Sequence, residues 1–200
     1  MEKIGVFGGT FDPIHYGHLR IAEEARDRFG LSHVLFVPNQ VSPFKVGDTA
    51  TTAALRAELV RVAIVGNPAF GLWTGELERE GPSYTVETLR ALTKKFPAAQ
   101  LYFLTGTDAV RDIGKWRAPE ECITLAQFIA FHRPGVTESE ARFGVPDHLE
   151  PGITFVEMNG LDISSTEIRE RVRAGRSIRY LVPEGVIALI EEKKLYRVVE

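Results

Sequence analysis

The chain has 200 residues, of which 44% are hydrophobic and 26% are charged, so we expect one compact domain around one core. Its formal net charge of -3, from 24 basic and 27 acidic residues, argues against the broad basic surface that binds nucleic acids or anionic membranes. The single cysteine, Cys122, excludes an internal disulfide and disfavours a thiolate zinc site. Neither a signal-peptide pattern nor an apolar run of membrane length is present, so a cytoplasmic protein is expected.

Short apolar runs that end in glycine or proline alternate along the chain with segments of helical spacing. Strands are predicted at 4–7, 34–37, 70–73, 101–104, 128–131 and 153–156. Helices are predicted at 18–29, 52–65, 85–96, 166–174 and 184–194, with an irregular helix at 108–124. Residues 39–50 are read as a loop, and 134–152 is a polar stretch with scattered proline and glycine to which no helix or strand is assigned.

This alternation predicts an α/β fold, a Rossmann-like doubly wound parallel sheet with helices on both faces. We expect one domain over 1–200, on which a C-terminal helical segment at about 164–194 packs. In such sheets ligands bind beyond the carboxyl ends of the strands. The sequence motifs that carry polar side chains fall at those ends.

The connection between the first strand and the first helix carries the strongest functional signal. Gly8 and Gly9 let the backbone approach a bulky anionic ligand, and the start of the helix directs free N–H groups at the same place. His15 and His18 lie three residues apart, so both rings can face one side and donate to phosphate oxygens. A pair of surface histidines, and a zinc site with Asp12 as a third ligand, are the alternatives.

This connection reads Gly-Gly-Thr-Phe-Asp-Pro-Ile-His-Tyr-Gly-His. Its His-x-Gly-His pattern resembles the signature of the nucleotidyltransferase superfamily, and the residues before it resemble the bacterial nicotinate-nucleotide adenylyltransferase family. The resemblance implies transfer of the adenylyl group of ATP to nicotinate mononucleotide, with release of pyrophosphate, in NAD biosynthesis. It implies catalytic roles for His15 and His18, and contacts to ATP from Gly8, Gly9, Thr10 and Phe11.

Three hydroxyl residues, Ser164, Ser165 and Thr166, open the penultimate predicted helix. One hydroxyl suffices as a helix cap, so the others could bind a phosphate together with Arg169 one turn later. Capping alone is the alternative. The segment resembles the second ATP-binding motif of the superfamily, which implies that these four residues support the triphosphate opposite the histidines.

Residues 82–85, Pro-Ser-Tyr-Thr, read alone as a turn with a threonine cap. They resemble the element with which the family grips the pyridine carboxylate through backbone N–H groups near Tyr84 and Thr85. Trp116 is either part of the core or, as the resemblance implies, stacks on the pyridine ring, for which a flat cationic ring is a suitable partner.

Two further positions are assigned to ATP by the resemblance. Gly106 and Asp108 follow the fourth predicted strand, where Asp108 would accept hydrogen bonds from ribose hydroxyls; capping of the next helix is its alternative role. The family usually shows Pro-Pro-His-Lys after the second strand, whereas this chain has Ser42-Pro43-Phe44-Lys45. Lys45 remains available to a phosphate, but Phe44 cannot donate a hydrogen bond.

The expected reaction is direct attack of the acceptor phosphate on ATP, because no activated nucleophile stands out in the sequence. No cluster of carboxylates suggests a metal cage, so Mg²⁺ is expected to arrive with ATP. The expected partners are the small molecules ATP and nicotinate mononucleotide, and a homo-oligomer is left open. The alternatives are adenylyl transfer to nicotinamide mononucleotide or phosphopantetheine, a non-catalytic nucleotide-binding regulator on the same fold, and a tRNA-binding synthetase fragment, which the negative charge disfavours.

Overall fold

The computed structural model describes residues 1–40, 50–79, 81–132 and 136–197. Within them, six strands form one parallel sheet in the order β3-β2-β1-β4-β5-β6. The strands are β1 (Glu2–Gly9), β2 (His33–Pro38), β3 (Phe70–Leu72), β4 (Ala99–Gly106), β5 (Gln127–His132) and β6 (Ile153–Glu157). The predicted doubly wound parallel sheet is confirmed.

Helices connect these strands and cover both faces of the sheet. They are α1 (Tyr16–Phe29), α2 (Ala53–Ala63), α3 (Thr85–Lys95), α4 (Thr107–Val110), α5 (Pro119–Leu125), α6 (Glu138–Arg142), α7 (Ser165–Arg173) and α8 (Glu184–Glu192), with 3₁₀ turns at Ile113–Lys115 and Glu150–Gly152. Across the described parts of the chain, every helix is too short or too polar to cross a membrane.

Each face of the sheet carries its own apolar core, because alternate strand residues point to opposite faces. On β4, Leu101 and Phe103 join the core beneath α3, α4 and α5. Tyr102 and Leu104 join the core beneath α1, α2, α7 and α8. Burial on both faces explains why the strands read as continuous apolar runs in the sequence.

Two stretches differ from the sequence prediction. The irregular helix expected at 108–124 is divided into α4, a 3₁₀ turn and α5, and Pro119 begins α5, a position where its missing N–H costs nothing. The polar stretch 134–152, for which no helix was predicted, contains α6. Thr137 caps this helix, and its own N–H donates to the Glu140 carboxylate at 2.8 Å. Such a capping box is a sequence signal for a helix, which the sequence prediction overlooked.

The strand order creates a crevice at the carboxyl edge of the sheet. From β1 the chain moves outward to β2 and β3, then returns to β4 on the other side of β1. The connections that follow β1 and β4 therefore diverge, which is where ligands bind in doubly wound sheets. The crevice begins where β1 ends at Gly9 and β4 ends at Gly106.

Candidate active site

A cavity of about 680 Å³ occupies this crevice. Its lining includes three separate parts of the chain, namely the connection from β1 to α1, the end of β4 and the approach to α7, together with Phe131 and His132 at the end of β5. The residues are Thr10, Phe11, Asp12, His15, Gly17 and His18 from the first, Gly106, Thr107 and Asp108 from the second, and Ile163, Ser164, Ser165, Thr166 and Arg169 from the third. The two motifs expected from the sequence to bind phosphate therefore line a single cavity.

The two histidines form a stacked pair at the start of α1. Their ring centroids lie 3.7 Å apart with an interplanar angle of 27°, and the backbone N–H of His15 donates to Nδ1 of His18 at 3.2 Å. A Cβ on Gly17 would come within 2.9 Å of Nδ1 of His15, which leaves no room for a side chain. The glycine in His-x-Gly-His is thus required by the packing of the first histidine ring.

His15 is the N-cap residue of α1 and is only 6% exposed. Burial disfavours the charged imidazolium and lowers the pKa of His15 from 6.5 to about 4. Its Nδ1 is buried and has no hydrogen-bond partner among the described residues. The ring also borders the cavity, where a neutral imidazole can donate a hydrogen bond to a ligand.

The lowered pKa of His15 predicts a pH-dependent stability. The unfolded chain binds a proton near pH 6.5 and the folded chain only near pH 4, so folding stability is complete above pH 6.5 and falls as the pH drops toward 4. The loss attributable to His15 is on the order of 3 kcal/mol at full protonation. Urea unfolding between pH 7 and 4 should show this loss, and His15→Gln should reduce it. A His15 ring that titrates near pH 6.5 by NMR would contradict the burial argument.

The Phe11 ring packs against the His18 ring, which also stacks on His15. The Phe11 backbone lies in the left-handed region with φ of 51°, and its buried ring meets the His18 ring edge-on at 5.1 Å and the Phe7 ring at 5.6 Å. A Cβ on Gly9 would approach the Phe11 ring to 2.8 Å. Gly9 therefore admits the ring that orients His18.

The second motif is joined directly to the first. Ser164 caps α7, since its side chain accepts the N–H of the third helical residue at 3.1 Å. The Ser165 hydroxyl donates to the carbonyl of Pro13 at 2.8 Å, and the Arg169 guanidinium donates to the carbonyl of Asp12 at 2.8 Å. One hydroxyl is thus the cap, and the next fastens α7 to the connection that carries the histidines.

The Asp12 carboxylate anchors this connection to more distant segments. It is 3% exposed and accepts hydrogen bonds from the Ala50 N–H, the Thr51 hydroxyl and the Tyr196 hydroxyl, each at 2.7 Å. Burial and the Asp12 charge raise the pKa of Tyr196. With its oxygens engaged by three donors, Asp12 is not placed as the third ligand of a zinc site with the histidines.

Arg56 is a buried residue behind the site that the sequence interpretation missed. It is 1% exposed and donates to the carbonyls of Thr10, Asn39 and Gln40 at 2.7, 2.7 and 3.1 Å, and to the Asn39 amide oxygen at 3.0 Å. The Gln40 N–H in turn donates to the Ser83 hydroxyl at 2.9 Å. The buried guanidinium of Arg56 thus joins the connection after β1 to the connection after β2. Gln40 in the connection after β2 in turn contacts Ser83 in the segment before α3.

The candidate acceptor residues do not line the cavity with the histidines. Tyr84 and Trp116 are half-buried against the core on the opposite face of the sheet, and Thr85 begins α3 beside them. The Trp116 ring lies edge-on to the Phe103 ring at 6.1 Å. Phe103 in turn comes within 3.4 Å of the place where Gly8 would carry a Cβ. These residues therefore approach the end of β1 from the other face.

The start of α3 has no side-chain cap, a property that it shares with α4, α5 and α8. Thr52, Thr137 and Ser164 each cap their helix through a side chain, whereas Tyr84, the N-cap residue of α3, makes no such bond. Thr85, the cap in the alternative interpretation, is instead the first helical residue. The first N–H groups of α3 are consequently left without a side-chain cap, as an anion-binding helix start requires.

Two other expected contacts remain predictions. Asp108 borders the cavity with its side chain 98% exposed, and Gly106 rather than Asp108 holds the cap position of α4. Lys45, together with Ser42 and Phe44, lies outside the described residues.

Comparison with known proteins identifies the family. The family described as cytidylyltransferase-like matches residues 6–171. The probable nicotinate-nucleotide adenylyltransferase of Desulfitobacterium hafniense is 44% identical over 201 residues, which cover 98% of this chain and 97% of that protein. The nicotinate-nucleotide adenylyltransferase of Bacillus subtilis is 40% identical over 198 residues, which cover 98% of this chain and 99% of that protein.

The chain belongs to the nicotinate-nucleotide adenylyltransferase family.

A solved structure agrees with this assignment at the level of the fold. The Plasmodium falciparum nicotinic acid mononucleotide adenylyltransferase complexed with NaAD aligns with a TM-score of 0.75 and 21% identity, covering 98% of each chain. The nicotinate-nucleotide adenylyltransferase family expected from the motif around His15 is therefore confirmed, while the roles of individual site residues remain predictions.

Proposed function

We propose that this member of the nicotinate-nucleotide adenylyltransferase family transfers the adenylyl group of ATP to nicotinate mononucleotide in NAD biosynthesis. The products are nicotinate adenine dinucleotide and pyrophosphate. Fold alone would not support an activity. The observation that carries the proposal is that the motifs around His15 and Ser165 converge on one cavity, in a chain that aligns with such enzymes over 98% of its length.

The reaction needs positioning more than it needs a base. An oxygen of the acceptor's 5′-phosphate attacks the α-phosphorus of ATP, and the bond from that phosphorus to the α–β bridging oxygen breaks. The leaving pyrophosphate takes the electron pair. A phosphate monoester is already largely ionised at neutral pH, so no proton has to be removed from it. The protein's contribution is alignment of the two phosphates and stabilisation of the charge that develops between them.

The residues of the cavity fit this task on the ATP side. His15, neutral at pH 7, and His18 would donate hydrogen bonds to the phosphates from one wall. Thr166 and Arg169 would act from the facing wall, where the Arg169 guanidinium also contacts the Thr166 hydroxyl at 3.3 Å. Asp108, at the edge of the cavity, would accept from the ribose. Family members generally use a divalent metal ion with their nucleotide, and we assign Mg²⁺, carried in with ATP.

The acceptor would bind where the second face of the sheet meets the end of β1. The uncapped N–H groups near Tyr84 and Thr85 would hold the pyridine carboxylate, because the start of a helix attracts an anion. The half-exposed ring of Trp116 would stack on the pyridine. The acceptor's phosphate would then extend past Gly8 toward the histidines, so that each substrate reaches the reaction centre from its own side.

Trp116→Ala is expected to weaken the binding of nicotinate mononucleotide far more than the binding of ATP. Stacking of an aromatic side chain on a base is worth about 1–3 kcal/mol, which corresponds to roughly a 5- to 150-fold rise in the KM of the mononucleotide. The KM of ATP should stay within about threefold of the parent value. Trp116→Phe keeps a flat ring and should recover most of the loss. Equal changes in both KM values would instead make Trp116 a packing residue.

The proposed function is tested by pyrophosphate release from MgATP with a panel of acceptors. Nicotinate mononucleotide should support rapid release, and nicotinamide mononucleotide and phosphopantetheine should support much less. Release with phosphopantetheine alone would assign the chain to another acceptor. Tight binding of ATP without release for any acceptor would favour the non-catalytic regulator.

A further inference from the structure

A buried carboxylate lies behind the start of α3. Glu76, in the turn after β3, is 6% exposed, and one of its oxygens accepts a hydrogen bond from the Thr88 hydroxyl. Thr88 lies in the first turn of α3 and is 2% exposed. The other carboxylate oxygen of Glu76 is buried, and the Ser83 side chain in the segment before α3 also acts on this carboxylate as a hydrogen-bond donor. Burial raises the pKa of Glu76, and its hydrogen bond with Thr88 joins the turn after β3 to the first turn of α3.

The Thr88 hydroxyl is the centre of a network around the same helix start. It also accepts from Arg79 at 3.0 Å, so it acts both as donor and as acceptor. Arg79 contacts one oxygen of Glu87 at 3.4 Å, and Arg117 donates to the other at 2.9 Å. The Arg117 guanidinium lies 4.8 Å from the centre of the Tyr84 ring. The network thus extends from the buried carboxylate to the N-cap residue of α3.

We infer that Glu76 and Thr88 are positioning residues for the acceptor, which set the first turn of α3 so that its uncapped N–H groups meet the pyridine carboxylate. This inference rests on the proposed function. Neither side chain contacts the substrate; each acts through the backbone of α3. A displacement of about 1 Å in a binding element can cost up to 10²-fold in activity. A shifted start of α3 would therefore weaken binding of the acceptor. Binding of ATP would change little, because the ATP residues lie in the cavity on the other face of the sheet.

Thr88→Val is the direct test, because valine has the shape of threonine without the hydroxyl. The KM of nicotinate mononucleotide is expected to rise roughly 5- to 30-fold, while kcat and the KM of ATP stay within about threefold. Steady-state kinetics with each substrate varied separately measure the three values. A purely structural role would lower the melting temperature without this selective change in one KM.

The chain offers a matched control on the same helix. Thr93 also lies in α3, and its hydroxyl is buried with no hydrogen-bond partner among the described residues. Thr93→Val should therefore leave every kinetic constant within about twofold, and Thr88→Ser should restore the parent KM. Equal effects of Thr88→Val and Thr93→Val, or an equal rise in both KM values for Thr88→Val, would overturn the inference.

A second pair of variants covers the case in which Thr88→Val does not fold. Glu76→Gln keeps an oxygen that accepts from Thr88 and should leave the acceptor KM within about threefold, whereas Glu76→Met, of similar size without an acceptor, should raise it roughly 5- to 30-fold. Indistinguishable kinetics for the two would refute the positioning role. If the parent enzyme prefers nicotinate mononucleotide and the variants change nothing, this inference fails while the proposed function stands.

Discussion

Replacement of His18 by alanine is expected to lower kcat for dinucleotide formation by roughly 10²- to 10³-fold, the usual loss for one donor that stabilises a transition state. The ring is held between the edge of Phe11 and the face of His15, so its nitrogen is aimed before the substrates bind. The KM of nicotinate mononucleotide should change by less than about threefold, because the acceptor residues lie on the other face of the sheet.

His33 provides the control for this experiment. It begins β2 at the opposite edge of the sheet and its side chain is 54% exposed. His33→Ala should keep kcat within about twofold of the parent, which would show that loss of a histidine is not harmful in itself. A His18→Ala enzyme with kcat within about threefold of the parent would remove His18 from the catalytic machinery.

The acid substrate is expected to be preferred over the amide by at least roughly tenfold in kcat/KM. A carboxylate at the start of α3 accepts from two N–H groups and is favoured by the helix dipole, and hydrogen bonds to a charged acceptor are about twice as strong as neutral ones. A carboxamide would turn its NH₂ group toward backbone donors and leave one unpaired, at a cost of about 1–3 kcal/mol. That cost converts to roughly 5- to 150-fold discrimination.

Steady-state kinetics with nicotinate and nicotinamide mononucleotides measure this preference. Thr85→Ala should reduce the preference for the acid substrate only in part, since the proposed donors belong to the main chain. An equal or reversed preference would leave adenylyl transfer in place and remove the assignment of nicotinate mononucleotide as acceptor.

The sheet could be predicted because its signals are local. β1 and β2 are short apolar runs closed by Gly8 and Pro38, and two-sided burial gives such runs in parallel sheets. The placement of His15 and His18 followed from the same logic, since a motif between a strand and a helix must lie at the carboxyl edge. The resemblance of the motif to one family supplied the substrate class, which spacing alone did not.

The burial of Arg56 could have been predicted from the helical spacing of α2. Arg56 shares the i, i+3, i+4, i+7 spacing of Leu59, Val60 and Ala63, which form the buried face of α2. A charge on an apolar stripe indicates a buried group with specific partners. Those partners, the carbonyls after β1 and β2, follow only from the folded chain.

Other contacts of the site depend on residues that are far apart in sequence. The Asp12 carboxylate meets Tyr196 near the other end of the chain, and Thr88 meets Glu76 across the turn before α3. Neither pair has a local pattern, because tertiary packing alone brings the partners together. For the same reason the separation of Trp116 from the histidine cavity could not be predicted from one sequence.

The most direct test of adenylyl transfer uses ATP labelled with ³²P at the α-phosphate, with Mg²⁺ and nicotinate mononucleotide. The label should appear in nicotinate adenine dinucleotide in an amount equal to the pyrophosphate released, because the α-phosphorus moves with the adenosine to the acceptor. Label recovered as AMP, or label that stays in ATP while the mononucleotide is bound, would contradict the account.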